Sequence, residues 1–223
     1  MKKIKIITAL MLVLTMAFFA VACENGESKK GDKENITVKN DEKKAGEETK
    51  TEEGANEKME TQYVKITMED NREIVIELLP EYAPMSVEFF LELVGDEYYD
   101  GLVFHRAVEG FMIQGGSPNG DGIGGCGRTV KGEFSSNGIK NDLSHKRGVV
   151  SFARTNIKDS ASGQFFIMHD DGEFLDGNYA AFGRVVEGMD VVDEIATRAT
   201  AGEMLIDKPV IKTVRVLKNY KAK

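Results

Sequence analysis

The side chains able to do nucleophilic, metal or redox chemistry are few in this sequence: two cysteines and three histidines among 223 residues. His105, His145 and His169 have no neighbouring donors at metal-ligand spacing, so none is assigned to a metal. A hydrolase using Ser117 or His105 would need a base and a group to orient it, and the sequence around them supplies no such arrangement. The run Gly122-Ile123-Gly124-Gly125-Cys126-Gly127 satisfies G-x-G-x-x-G, yet no helix-forming segment follows to present its N-terminus to a pyrophosphate. It reads as a loop, and Cys126 within it as an inert thiol. On residue type alone, Arg106 reads as a solvated strand residue, His105 as a hydrogen-bonded structural histidine, and Phe111, Met112 and Phe166 as core.

The elements that would position these groups begin near Tyr63. Val64, Ile66 and Met68 alternate on one face, as do Ile74, Ile76 and Leu78 after a turn at Asp70-Asn71, which predicts two antiparallel strands. Residues 84–94 predict a helix, with Pro84 in its first turn, Val87, Phe90, Leu91 and Val94 at helical spacing and Gly95 at its end. Further strands are expected at 102–107, 111–114, 149–153, 165–169, 180–186 and 210–217, and a second helix at 189–196. Many short strands with only two helices predict a mainly β fold, an antiparallel barrel with a helix at each end.

Before this domain the composition changes twice. Residues 1–5 are basic and 6–21 apolar, too short a run for a comfortable bilayer span, so 1–22 reads as a signal peptide. Ala20 and Ala22 before Cys23 resemble the lipobox of bacterial lipoproteins, in which the cysteine is lipidated and becomes the new N-terminus; leucine is usual where Ala20 stands. With Cys23 lipidated, Cys126 has no partner for an internal disulfide. Residues 23–61, rich in Lys, Glu, Asp and Gly, bury too little apolar surface to offset ordering and read as a disordered tether reaching some tens of Å, by about 5–6 Å times the square root of its length. The folded domain is expected over 62–220. Loss of Lys2, Lys3 and Lys5 with the signal would take the formal charge from −8 to −11, which argues against nucleic acid as a partner.

Two segments are more specific. Phe104-His105-Arg106-Ala107-Val108-Glu109-Gly110-Phe111-Met112-Ile113-Gln114-Gly115-Gly116 resembles the central cyclophilin signature, F-H-R-x-x-x-G-F-M-x-Q-G-G. Ser160-Ala161-Ser162-Gly163-Gln164-Phe165-Phe166-Ile167, followed by Phe174-Leu175-Asp176-Gly177, resembles the second active-site segment of the same family. Ala83-Pro84 with Phe90, Lys131-Gly132-Glu133-Phe134 and Ala181-Phe182-Gly183-Arg184-Val185-Val186 add to a resemblance spanning 63–217.

The resemblance implies a closed eight-stranded antiparallel β-barrel capped by two α-helices, and a peptidyl-prolyl cis/trans isomerase needing no cofactor or metal. It implies that Arg106 and Gln114 are catalytic and that Phe111, Met112, Phe166 and Leu175 wall a proline pocket. Gln164 would be a further polar contact, and Ala153 with Arg154 the segment whose backbone meets an extended substrate. Three positions depart from the pattern. Arg154 stands where many relatives have asparagine, Tyr179 where histidine is frequent, and Phe174 where tryptophan is frequent, which implies weak cyclosporin binding. The implied partners are proline-containing polypeptides, met by a monomer lipid-anchored on the extracytoplasmic face of the cell membrane. A proline-binding module with little catalysis is the alternative; retention of both Arg106 and Gln114 favours the enzyme.

Overall fold

A computed structural model describes residues 62–220; the expected signal peptide, Cys23 and tether lie outside the described residues. Strands β1 (Gln62–Met68) and β2 (Glu73–Leu78) pair from Gln62↔Leu78 to Thr67↔Glu73 and bury the alternating residues read from the sequence. Asn71 turns the chain between them at φ 65°, a left-handed conformation that asparagine tolerates better than most residues.

Helix α1 (Pro84–Gly95) starts with proline but has no capping side chain at Ala83. The cap comes from 48 residues away: Glu133, itself buried, accepts from the Met85 N–H (3.1 Å), the Ser86 N–H (2.7 Å) and the Ser86 hydroxyl (2.6 Å). A carboxylate here satisfies amides that the first helical turn leaves unpaired and opposes the positive end of the helix dipole. The buried stripe includes Phe89 and Leu93, whereas Leu91 is only partly covered. Gly95 is still helical; the left-handed residue after the helix is Glu97, at φ 55°.

The other strands are β3 (Phe104–Val108), β4 (Met112–Gly115), β5 (Val149–Phe152), β6 (Phe165–Met168), β7 (Ala181–Glu187), β8 (Thr200–Ala201), β9 (Met204–Leu205) and β10 (Ile211–Leu217), with α2 (Met189–Ala196) after β7. They form one antiparallel sheet in the order β10-β1-β2-β7-β5-β6-β4-β3-β9-β8. The expected count of eight is therefore corrected to ten. The additions are the two-residue strands β8 and β9, too short to carry an alternation signal. Nor does a strand ladder close the sheet: one bridge, Val103–Val210, joins the segment before β3 to that before β10, and neighbouring Pro209 has no N–H with which to extend it.

Period two along β4, β5 and β6 separates two apolar layers. Ile113, Val150, Phe152, Phe165 and Ile167 join Phe90, Tyr99, Phe104 and Phe182 in the main core. Met112, Val149, Phe166 and Met168 face the other way and pack with Leu175 and Ala181. This second, thinner layer supports the site.

Candidate active site

Arg106 reaches the outer face of the sheet because β3 is irregular. Phe104 pairs with Gly115 and Arg106 with Gln114, so two steps on β3 match one on β4 and His105 is the extra residue. Without such a bulge, residues two apart would share a face. Here Phe104 lies in the main core while the Arg106 side chain is 32% exposed beside the cleft.

The guanidinium is held at several points. Its Nη1 donates to Gln114 Oε1 (2.9 Å) and lies 4.0 Å from Met112 Sδ, while Nε and Nη2 each lie 2.7 Å from Glu203 Oε2. Gln114 Nε2 donates to Gln164 Oε1 (2.9 Å), and Gln164 Nε2 donates to the carbonyls of Gly122 (3.0 Å) and Gly124 (2.8 Å). The G-x-G-x-x-G run is thus a loop wrapped around a glutamine. The next helical element is a single 3-10 turn at Ser135–Asn137, which does not follow the run directly. Gly125 is required by contact, since a Cβ there would sit 2.1 Å from the Ser162 carbonyl oxygen. Cys126 is half-buried, its Sγ 3.3 Å from the Arg128 carbonyl oxygen.

A cleft of about 460 Å³ opens beside Arg106, walled by Phe111, Gln114, Ala153, Arg154, Phe166, Phe174, Leu175 and Tyr179. The structure brings these expected residues together from β3, β4, β6 and the loops after β5 and β6. Met112 lies behind the wall rather than in it, 1% exposed and packed in the layer with Phe166 and Leu175. Gln164 borders an adjoining cavity of about 630 Å³ that shares Gln114, Gly122, Ala153 and Arg154 with the first. Ala153 donates its N–H to the Gln164 carbonyl (2.9 Å), which ties the cleft wall to β6. Arg154 spends its side chain on the protein. Its Nε and Nη2 donate to the Asn178 carbonyl and Nη1 to that of Thr155, and the guanidinium lies over Tyr179 (4.7 Å) and Phe134 (5.1 Å). Phe174, 72% exposed, packs against Phe111 on the rim, the two rings tilted by 33° with centroids 5.3 Å apart.

His105 corrects an expectation. It borders the cleft and is 1% exposed, but neither ring nitrogen has a hydrogen-bond partner among the described residues. Burial first, then the positive charges of Lys208 and Arg106, push its pKa down to about 4. A neutral ring results.

Sequence reasoning missed two features. Glu203 and Met204, from the β8–β9 hairpin, place a carboxylate on Arg106 and a side chain in the cleft wall. The only local signal was Gly202, which turns the hairpin at φ 68°. The second is a serine–histidine–aspartate chain: His145 Nδ1 lies 2.8 Å from Asp176 Oδ1 and Nε2 3.2 Å from Ser151 Oγ. Ser151 is fully buried, so no substrate carbonyl reaches its hydroxyl, and the His145 ring is stacked with Phe166 at 6.0 Å. The arrangement braces the cleft wall. Ser117, the other serine considered, is also buried and uses its hydroxyl on the loop at Asp121–Ile123.

Comparisons with known proteins agree with this geometry. A family model described as cyclophilin type peptidyl-prolyl cis-trans isomerase/CLD matches residues 63–219. Peptidyl-prolyl cis-trans isomerase B of Bacillus subtilis is 40% identical over 149 residues, 67% of this chain and 94% of the relative. Peptidyl-prolyl cis-trans isomerase A of Dickeya dadantii is 37% identical, over 65% of this chain and 80% of the relative. A crystal structure of a Cryptosporidium parvum cyclophilin type isomerase in the presence of the dipeptide Ala-Pro superposes with a TM-score of 0.63 at 30% identity, covering 71% of this chain and all of that one.

Proposed function

We propose, for a chain that belongs to the cyclophilin-type peptidyl-prolyl cis-trans isomerase family, that the cleft beside Arg106 accelerates X-Pro isomerisation in exported polypeptides at the outer face of a membrane. The X-Pro bond is a tertiary amide whose rotation is opposed by resonance, with a barrier of about 20 kcal/mol. Twisting the C–N bond localises the lone pair on the prolyl nitrogen. A donor aimed at that nitrogen then stabilises the twisted state more than the planar one, which is sufficient for catalysis.

The observation that carries this reading is the Arg106 guanidinium fixed at the mouth of a cleft walled by Phe111, Phe166 and Leu175. The three apolar side chains suit a pyrrolidine ring. Arg106 has donors left after its bonds to Gln114 and Glu203, because a guanidinium carries five N–H groups. Gln114, held from behind by Gln164, fixes one terminal nitrogen of the guanidinium. No proton needs to move. Exchange NMR on an Ala-Pro peptide tests the activity: cis–trans exchange should speed up at catalytic protein concentration, and an unchanged rate would exclude isomerase action.

The extracytoplasmic part of the proposal is supported by the sequence of residues 1–61: a basic and then apolar leader, Cys23 after small residues, and a polar tether. A singly acylated anchor binds weakly, whereas multiple chains on Cys23 would hold the protein stably. Metabolic lipid labelling that survives Cys23→Ser would refute the anchor.

A further inference from the structure

We infer that Glu203 is a positioning residue for the isomerase reaction, one that sets the plane of the Arg106 guanidinium; the inference rests on the function proposed above. Arg106 stands at a sheet surface, and its long side chain would otherwise sample several rotamers. Gln114 alone fixes one terminal nitrogen and leaves rotation about that contact open. Glu203 removes this freedom by taking Nε and Nη2 together on one edge of the guanidinium, each at 2.7 Å. Nε donates to the carboxylate and Nη1 to Gln114 and, more weakly, to Met112 Sδ, which leaves Nη2, in ion-pair contact with Glu203, with N–H capacity for the peptide.

The carboxylate is itself well placed. The Ala107 N–H donates to the Glu203 carbonyl (3.0 Å) and Met204 pairs with Arg106, so Glu203 is fastened to β3 directly beside the arginine it holds. Leu205, 2% exposed, anchors β9, the strand that pairs with β3, in the main core. Met204 also borders the cleft, so the hairpin supplies both part of the wall and the clamp on the cation. A catalytic donor must be held within about 10–20° of its productive direction, and a clamp built on backbone pairing meets that need.

The test compares Glu203→Ala and Glu203→Gln with the parent by exchange NMR, resolving kcat from KM, and follows the Arg106 Nε–H resonance in the same proteins. Glu203→Ala should lower kcat about five- to tenfold with KM unchanged within about twofold, because the peptide-holding walls are intact. Glu203→Gln retains an acceptor oxygen and should keep kcat within about threefold of the parent. The Nε–H signal should shift and broaden in Glu203→Ala and remain sharp in Glu203→Gln. An unchanged kcat in Glu203→Ala, or an equal fall in both variants with a raised KM, overturns the inference, the latter indicating a hairpin that merely packs. Should the parent itself prove inactive, the proposed function fails separately, and an Nε–H signal indifferent to Glu203→Ala would sink the clamp on its own terms.

Discussion

Arg106→Ala isolates the central physical claim. In an enclosed site, one donor aimed at developing charge contributes about 2.7–4 kcal/mol. The Arg106 side chain is 32% exposed and shares its charge with Glu203, so solvent and counter-charge reduce its effect here to about 2–3 kcal/mol. Loss of the guanidinium should then lower kcat/KM by about 30- to 150-fold. The fold should survive. The pair with Glu203, whose side chain is 58% exposed, contributes under about 1 kcal/mol. Gln114 loses one donor but keeps its bond to Gln164. A drop in melting temperature of about 2–4 °C follows from a loss near 1 kcal/mol in a domain of this size. Arg106→Lys keeps the charge as a single ammonium, which cannot hold Glu203 and Gln114 while also addressing the peptide; a loss of about tenfold is expected. In the parent, the rate should be nearly flat between about pH 6 and pH 9, since the proposed step transfers no proton. The assay is protease-coupled or exchange-NMR isomerisation of an X-Pro peptide, with thermal melts of each variant. Arg106→Ala within about threefold of the parent, with a normal melt, would refute differential stabilisation by this side chain.

Three other outcomes follow from the structure. Glu133→Ala strips three donors at the start of α1 of their buried acceptor and should cost about 2–4 kcal/mol, a fall of roughly 5–15 °C in melting temperature; a shift below about 2 °C would mean that the cap is dispensable. The His105 pKa is pushed from its ordinary 6.5 down to about 4, so between those values the unfolded chain binds more protons than the folded one. Stability should therefore be unaffected by this ring above pH 6.5 and decline as pH falls from 6.5 toward 4; His145, also depressed by burial, adds to the decline with the same sign. Urea midpoints for His105→Phe should show a shallower decline, and an identical slope would exclude His105 as a source. Phe174→Trp, at a position 72% exposed on the cleft rim, supplies an indole N–H and should tighten cyclosporin inhibition about five- to tenfold, as one added hydrogen bond would; nanomolar inhibition of the parent would show that the indole is not needed.

The parts of this molecule that were legible in the sequence are those in which local pattern and final environment agree. Alternation in β1 and β2 and the Pro84 start of α1 were read directly, because each depends on side chains within a few residues. The two signature segments together identified most of the cleft wall, but they did not reveal how the arginine comes to face outward. That depends on a bulge at His105, and a strand pattern with period two contains no mark of an extra residue that its partner strand does not match. The same bulge explains the misread histidine: removed from the ladder and covered, its ring finds no partner among the described residues. Glu203 and Glu133 were unreadable for a different reason. Each acts 97 or 47 residues along the chain from the group it serves, on Arg106 and on the first turn of α1 respectively, so their roles exist only once the sheet has formed. Sequence separation therefore divides the site in two. The walls that receive a prolyl ring, and Gln114 on the guanidinium, come from short segments whose residue types announce them, whereas the outward turn of Arg106 and its Glu203 partner are supplied by register and by the short β8–β9 hairpin. A chain carrying the signature intact but altered at Glu203 should bind the same peptides and turn them over more slowly.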